Sequence, residues 1–178
     1  MRTLKCLLVA GIVLSIISCN KNQNVVDKKE GLSVMLVKST TGSGLKIPEK
    51  ELIFTGDDII SFNLSTSEII FTNEGDKKLS SFSFNGASAT LNFYLNGEPL
   101  FESAIYTAAA YSSFLINDLV LYYSVDSKYY LSNGYPEIAD EWLDADDVRK
   151  IREDNAQKRK IGWDTFIGHL SKINKIVK

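Results

Sequence analysis

Cysteine is scarce in this chain and is confined to its start. The two cysteines are Cys6 and Cys19, so no residue after position 19 carries a thiol. A folded region without cysteine can form neither a disulfide nor a thiolate metal site. Such a domain must be stabilised by its apolar core, and a hydrophobic content of 44% can supply one.

Histidine is scarcer still, because His169 is the only one. A Ser-His-Asp triad or a histidine-ligated metal site would have to use it. No HExxH pattern accompanies it, and its position beside an apolar helical stripe favours an ordinary place on the flank of a helix. We therefore predict no metal site and no cofactor, and no residue is singled out as catalytic.

Neither sign of charge dominates the chain. The 20 basic and 22 acidic side chains give a net charge of −2, which becomes about −4 if Arg2 and Lys5 are removed with the first 18 residues. This balance argues against general nucleic-acid binding. Three prolines and no low-complexity tract favour a single domain in the remaining 160 residues.

The first residues have the pattern of an export signal. Arg2 and Lys5 precede an uncharged apolar run over residues 7–18, which is shorter than the ~20 residues of a membrane-spanning helix. The run ends in Ile16-Ile17-Ser18-Cys19, which resembles the lipobox of bacterial lipoproteins, with a branched apolar residue three positions before the cysteine and a small residue just before it. The resemblance implies cleavage after Ser18 and conversion of the Cys19 thiol to a thioether with a diacylglycerol, so that fatty-acyl chains such as palmitate anchor the protein.

This resemblance divides the chain into three parts. They are a signal peptide (1–18), a lipidated cysteine with a flexible tether (19–31), and a globular domain (32–178). The tether is polar and lacks apolar periodicity, so it cannot bury enough surface to offset the cost of ordering. Asn and Lys follow Cys19 where many surface-exposed lipoproteins carry acidic residues, which favours an anchor in the outer membrane facing the periplasm.

Short apolar and alternating runs predict an antiparallel sheet. Asn96-Gly97 predicts one hairpin and Asp126-Ser127 a second. Residues 73–78 are predicted to form a turn, Thr55 and Asp58 resemble a capping box that starts one or two helical turns, and residues 107–114 fit a helix or a strand. The predicted strands span residues 33–37, 51–54, 68–72, 81–84, 90–95, 100–106, 119–125 and 128–131.

The last forty residues are predicted to be helical. Asp144 and Asp147 indicate a helix start, and Gly162 is expected to divide the region into helices over residues 145–159 and 163–176. The predicted fold class is therefore α+β, an antiparallel β-sheet with one or two C-terminal α-helices packed on one face. The apolar stripe of the second helix consists of Trp163, Phe166, Leu170, Ile173 and Val177.

Tyrosine is concentrated in one part of the chain, since all eight lie between Tyr94 and Tyr135. The neighbouring pairs Tyr122-Tyr123 and Tyr129-Tyr130 flank the second predicted turn and place one ring of each pair on each face of the hairpin. Outward rings have an apolar face and a polar tip, which suits contact with a sugar or peptide. These four are the candidate ligand-binding residues, although cross-strand packing also explains them.

Three functions fit these patterns. The first is a non-enzymatic, membrane-anchored lipoprotein of the cell envelope that binds a protein, peptide or glycan partner through the tyrosine-rich sheet face. The alternative is an envelope hydrolase that uses carboxylates such as Asp57 or Asp58 for acid–base catalysis. A purely structural envelope component is the third.

Overall fold

Nine β-strands form one curled sheet in the computed structural model of the chain. The structure describes residues 30–38, 49–81, 89–107, 115–136 and 144–178, and the statements below refer to these. The predicted signal peptide, Cys19 and the tether up to residue 29 lie outside the described residues. So do most of the ambiguous segment 107–114 and residues 82–84 of a predicted strand.

The sheet is mostly antiparallel, which confirms the predicted α+β class. Its strand order is β2-β1-β5-β6-β7-β8-β4-β3-β9, and only the β6–β7 and β3–β9 pairs are parallel. The helices are α1 (Asn73–Ser81) and α2 (Ala145–Lys172), with a short 3-10 helix at Gly56–Asp58. The strands are β1 (Leu32–Lys38), β2 (Glu49–Thr55), β3 (Ile59–Asn63), β4 (Glu68–Phe71), β5 (Ala89–Leu95), β6 (Glu98–Thr107), β7 (Leu119–Tyr123), β8 (Tyr129–Asn133) and β9 (Ile176–Val177).

An aromatic core fills the inside of the curled sheet, where α2 packs. Phe166 of α2 is fully buried, and its ring centroid lies 5.9 Å from Phe62, 5.9 Å from Phe93 and 5.6 Å from Phe101. These rings meet edge to face, the arrangement that the aromatic quadrupole favours. Burying each of them contributes about 1.5–3 kcal/mol, so Phe166 is a main reason why α2 stays on the sheet.

Both predicted hairpins are confirmed. Asn96 and Gly97 have positive φ angles of 53° and 83°, as a two-residue turn with the twist of the flanking strands requires. The side chain of Asn96 also accepts a hydrogen bond of 2.8 Å from the backbone of Gly31, so this turn is tied to the start of β1. In the second hairpin the backbone N–H of Ser124 donates to the carbonyl of Lys128 at 2.8 Å.

The predicted turn at residues 73–78 is wrong, because these residues belong to α1. Thr72 starts the helix, since its side chain accepts from the backbone of Gly75 at 3.1 Å and its carbonyl from the backbone of Asp76 at 2.9 Å. Leu79, one residue beyond the predicted turn, is fully buried and anchors the helix to the sheet. Ser81, predicted as a strand residue, is the last residue of this helix.

The predicted break at Gly162 is also wrong, since α2 continues through it from Ala145 to Lys172. A Cβ atom at Gly162 would lie 2.1 Å from the carbonyl oxygen of Leu100 in β6. Glycine is therefore required there for close packing of helix on strand, and it does not end the helix. The predicted start is confirmed, because the Asp144 side chain accepts from the backbones of the second and third helical residues.

The apolar stripe is shorter than predicted. Phe166 and Leu170 are buried, but α2 ends before Ile173, and Val177 belongs to strand β9. β9 pairs with β3 over only two residues, Ile176 and Val177. The C-terminal residues thus leave the helix and complete the sheet edge.

Candidate functional site

The four candidate tyrosines face one another across the β7–β8 hairpin. Tyr122 is paired with Tyr130 and Tyr123 with Tyr129 in the strand register, with ring centroids 5.3 and 4.8 Å apart. Tyr129 also packs against Phe71 of the core at 5.3 Å. The two neighbouring pairs are therefore divided between the two faces of the hairpin, as the alternation of strand residues requires.

The four rings differ in their exposure to solvent. Tyr122 is buried, with only 7% of its surface exposed, whereas Tyr123 is 36% exposed. Tyr129 and Tyr130 lie between these extremes. At the tip of the hairpin, Val125 is 74% exposed. Besides the exposed polar residues 126–128 at the tip, a partner could reach Val125, Tyr123 on one face of the hairpin and part of Tyr130 on the other.

Two tyrosine hydroxyl groups are held by carboxylates. The hydroxyl of Tyr129 donates to Asp76 Oδ1 at 3.0 Å, and that of Tyr130 donates to Asp126 Oδ2 at 2.8 Å. The bond to Asp126 is the main reason why the pKa of Tyr130 rises to about 12. The pKa of Tyr129 is raised as well, and burial is the larger cause and the hydrogen bond to Asp76 the next. Both phenols therefore remain protonated near neutral pH and act as hydrogen-bond donors.

Two further tyrosines extend this cluster along the sheet. The ring of Tyr135 lies 4.9 Å from Tyr122 and 4.9 Å from Tyr106. Tyr106, Tyr135, Tyr122 and Tyr130 thus form a continuous tyrosine row. Sequence reasoning missed Tyr106 and Tyr135 as neighbours of the hairpin, because the parallel register that sets Tyr106 beside Tyr122 is a long-range feature.

A cavity of about 680 Å³ lies between α2 and β6. β5 pairs with β6 from Glu98 to Ala104, but β7 joins β6 only from Ala104 onward. The first half of β6 therefore has a gap on its β7 side, and α2 crosses this gap at Gly162. The walls of this α2–β6 cavity include Phe101, Ile105, Tyr106, Leu115, Leu119 and Ile161.

The cavity also carries charges of both signs. Lys158 and Arg159 lie on α2, whereas Glu102 lies on β6 and Asp118 just before β7. The guanidinium of Arg159 is half-buried and donates from Nη2 to the side-chain oxygen of Asn133. Burial lowers the pKa of Arg159, and the charge of Asp118 opposes this shift. Because guanidinium groups are otherwise protonated far above neutral pH, Arg159 remains a cation.

The carboxylates proposed for a hydrolase occupy a structural position. Asp58 Oδ2 accepts from the backbone of Thr55 at 2.8 Å, and Oδ1 accepts from Lys78 Nζ at 2.8 Å. This confirms the predicted capping box at the 3-10 helix. Burial alone would raise the pKa of Asp58, but the hydrogen bonds from Lys78 and Thr55 and the charge of Lys78 outweigh it and lower the pKa. Asp57 is exposed to solvent.

His169 lies in the last turn of α2, on the flank of the helix. Its Nε2 atom is 3.7 Å from the position that a Cβ of Gly56 would occupy. Burial lowers the pKa of His169, and the charges of Lys172 and Lys175 lower it further. The imidazole is therefore neutral near neutral pH.

The described residues contain no group of three or more His, Cys, Asp or Glu side chains placed to hold a metal ion. In the same ranges no helix combines the length and the apolar character needed to span a bilayer. Comparisons with protein-family models, with curated proteins and with solved structures gave no match.

Proposed function

We propose that this protein is a lipoprotein of the cell envelope whose folded domain binds a partner without catalysing a reaction. Cys19, at the end of an apolar export segment, supports the anchor. The residues after it favour the outer membrane facing the periplasm. The partner is a protein, a peptide or a glycan, and the β7–β8 hairpin provides the contact surface.

The observation that carries the binding role is the way the hairpin rings are held. Carboxylates orient Tyr129 and Tyr130, while Tyr123 and Val125 at the same hairpin remain exposed. Rigid aromatic rings lose little conformational entropy when they bind, and exposed aromatics are enriched at binding surfaces. Since both oxygens of Asp58 are occupied by structural partners, the hydrolase alternative gains no support.

The anchor is tested by metabolic labelling with a radioactive or alkyne-bearing palmitate. We expect the full-length protein and a Cys6→Ser variant to incorporate the label, because Cys6 lies in the segment that would be removed. A Cys19→Ser variant should incorporate none, since the thioether cannot form. Equal labelling of both variants would show that Cys19 is not the lipidated residue.

The contact surface is tested by photo-crosslinking in cells. A benzophenone amino acid replaces Tyr123 or Val125, and replaces the exposed Lys150 of α2 as a matched control. We expect one defined adduct from the two hairpin positions and none from the control. Identical adduct patterns at all three positions would contradict a specific contact at the hairpin.

A further inference from the structure

We infer that the α2–β6 cavity binds a short peptide with a free α-carboxylate, and that Arg159 binds this carboxylate. This site goes beyond the hairpin surface of the proposed function. It depends on described residues and not on the lipid anchor. It lies at one end of the tyrosine row, where Tyr106 contributes to its wall.

The shape of the cavity fits a small extended ligand. Its volume of about 680 Å³ falls within the range of roughly 300–1,000 Å³ that is typical of small-molecule sites. One wall is the side of β6 that lacks pairing with β7 from Glu98 to Ser103, where α2 crosses the strand at Leu100. A ligand there would lie between the helix and the strand.

The charges of the cavity favour a zwitterion. Lys158 and Arg159 would attract a carboxylate, and Glu102 and Asp118 would attract an ammonium group. A free peptide carries both groups, whereas a purely anionic ligand would be repelled by the two carboxylates. The planar guanidinium of Arg159 can bind a carboxylate through two parallel hydrogen bonds, and the bond to Asn133 orients it.

An exposed apolar side chain at the cavity favours a ligand that carries apolar side chains of its own. Ile161 is 86% exposed on α2, where an apolar side chain of the ligand would cover it.

The test is a calorimetric titration of the full-length, detergent-solubilised protein with trialanine. We expect trialanine to bind, and trialanine amide to bind about tenfold or more weakly, because it lacks the charge-assisted hydrogen bonds to Arg159. Arg159→Gln should weaken trialanine binding by a similar factor. Lys160→Gln removes the neighbouring positive charge, which is exposed and paired with Asp164, and should leave affinity unchanged.

A second variant keeps the test decisive if Arg159→Gln fails to fold. Thr165 lines the cavity but is exposed on α2, so Thr165→Trp should leave the core intact and obstruct the mouth. We expect it to abolish trialanine binding. Absence of trialanine binding to the unaltered protein, equal affinity for the amide, or binding of chitotriose in place of the peptide would each overturn the inference. Labelling at Cys19 and crosslinking at the hairpin do not depend on this result.

Discussion

The contact between α2 and β6 can be tested with a single added methyl group at Gly162. A Cβ there would lie 2.1 Å from the carbonyl oxygen and 2.8 Å from the carbonyl carbon of Leu100. Both atoms belong to the backbone of β6, at the bulge where Leu100 lies between the paired residues Pro99 and Phe101, so the clash can be relieved only by a shift of the backbone. Gly162→Ala must therefore push α2 away from β6 and loosen the packing of Trp163 and Phe166 against Phe101.

Two opposing effects decide the sign of the change in stability at Gly162. Alanine is favoured over glycine inside a helix by about 0.8–1.0 kcal/mol. Overpacking costs about 1–3 kcal/mol, and a clash with rigid backbone belongs at the upper end of this range. We therefore expect Gly162→Ala to lower the free energy of unfolding by about 1–2 kcal/mol.

Gly168 provides a matched control in the same helix. It is exposed, and a Cβ there would meet nothing within 4 Å, so Gly168→Ala should stabilise the protein by about 0.5–1 kcal/mol. Thermal unfolding followed by circular dichroism measures both effects, at about 2–4 °C per kcal/mol for a domain of this size. If Gly162→Ala raised the melting temperature as Gly168→Ala does, the close contact with Leu100 would not exist.

Three further predictions concern the polar contacts. Asp58→Asn should lower stability by about 1–3 kcal/mol in urea unfolding at neutral pH. Because the fold lowers the pKa of Asp58, the unaltered protein should lose stability as the pH falls below ~3.9, and an equally steep loss in the variant would contradict this. Tyr129→Phe removes the donor to Asp76 and should lower the free energy of unfolding by about 1 kcal/mol. Tyr130→Phe should lower it by less, because Tyr130 is more exposed. A larger loss at Tyr130 would show that the Tyr129–Asp76 bond is not the more stabilising of the two. In an ultraviolet absorbance titration, Tyr130→Phe should remove a step near pH 12, and Asp126→Asn should move this step to lower pH; an unchanged step would remove Asp126 as the cause.

The elements that could be predicted from the sequence are those that short-range interactions determine. Asn96-Gly97 predicts a tight turn because both residues tolerate the positive φ angles that it needs. Thr55 and Asp58 predict a helix start because a side chain and a backbone three residues apart form the hydrogen bond. Asp144 caps α2 in a similar way. In each case the partners lie within three residues along the chain.

The elements that were predicted wrongly depend on distant partners. Residues 73–78 have the composition of a turn, and α1 forms there because Leu79 is buried against the sheet. Gly162 resembles a helix break, yet its neighbour is Leu100 in a different element. Alternation along the strands placed the candidate tyrosines on the two faces of the hairpin, as observed. It could not predict that Tyr122 is buried, because Tyr135, which packs on its ring, lies beyond the end of β8.

The parallel pair of β6 and β7 links the α2–β6 cavity to the tyrosine row. In an antiparallel hairpin the two strands pair from the turn outward, whereas parallel strands are joined by a crossover and need not overlap along their whole length. β7 accordingly meets only the second half of β6. The first half is left open for α2, and the same register brings Tyr106 beside Tyr122. A substitution that shifted this register would therefore alter the cavity and the tyrosine row together, while leaving the Asn96-Gly97 hairpin unchanged.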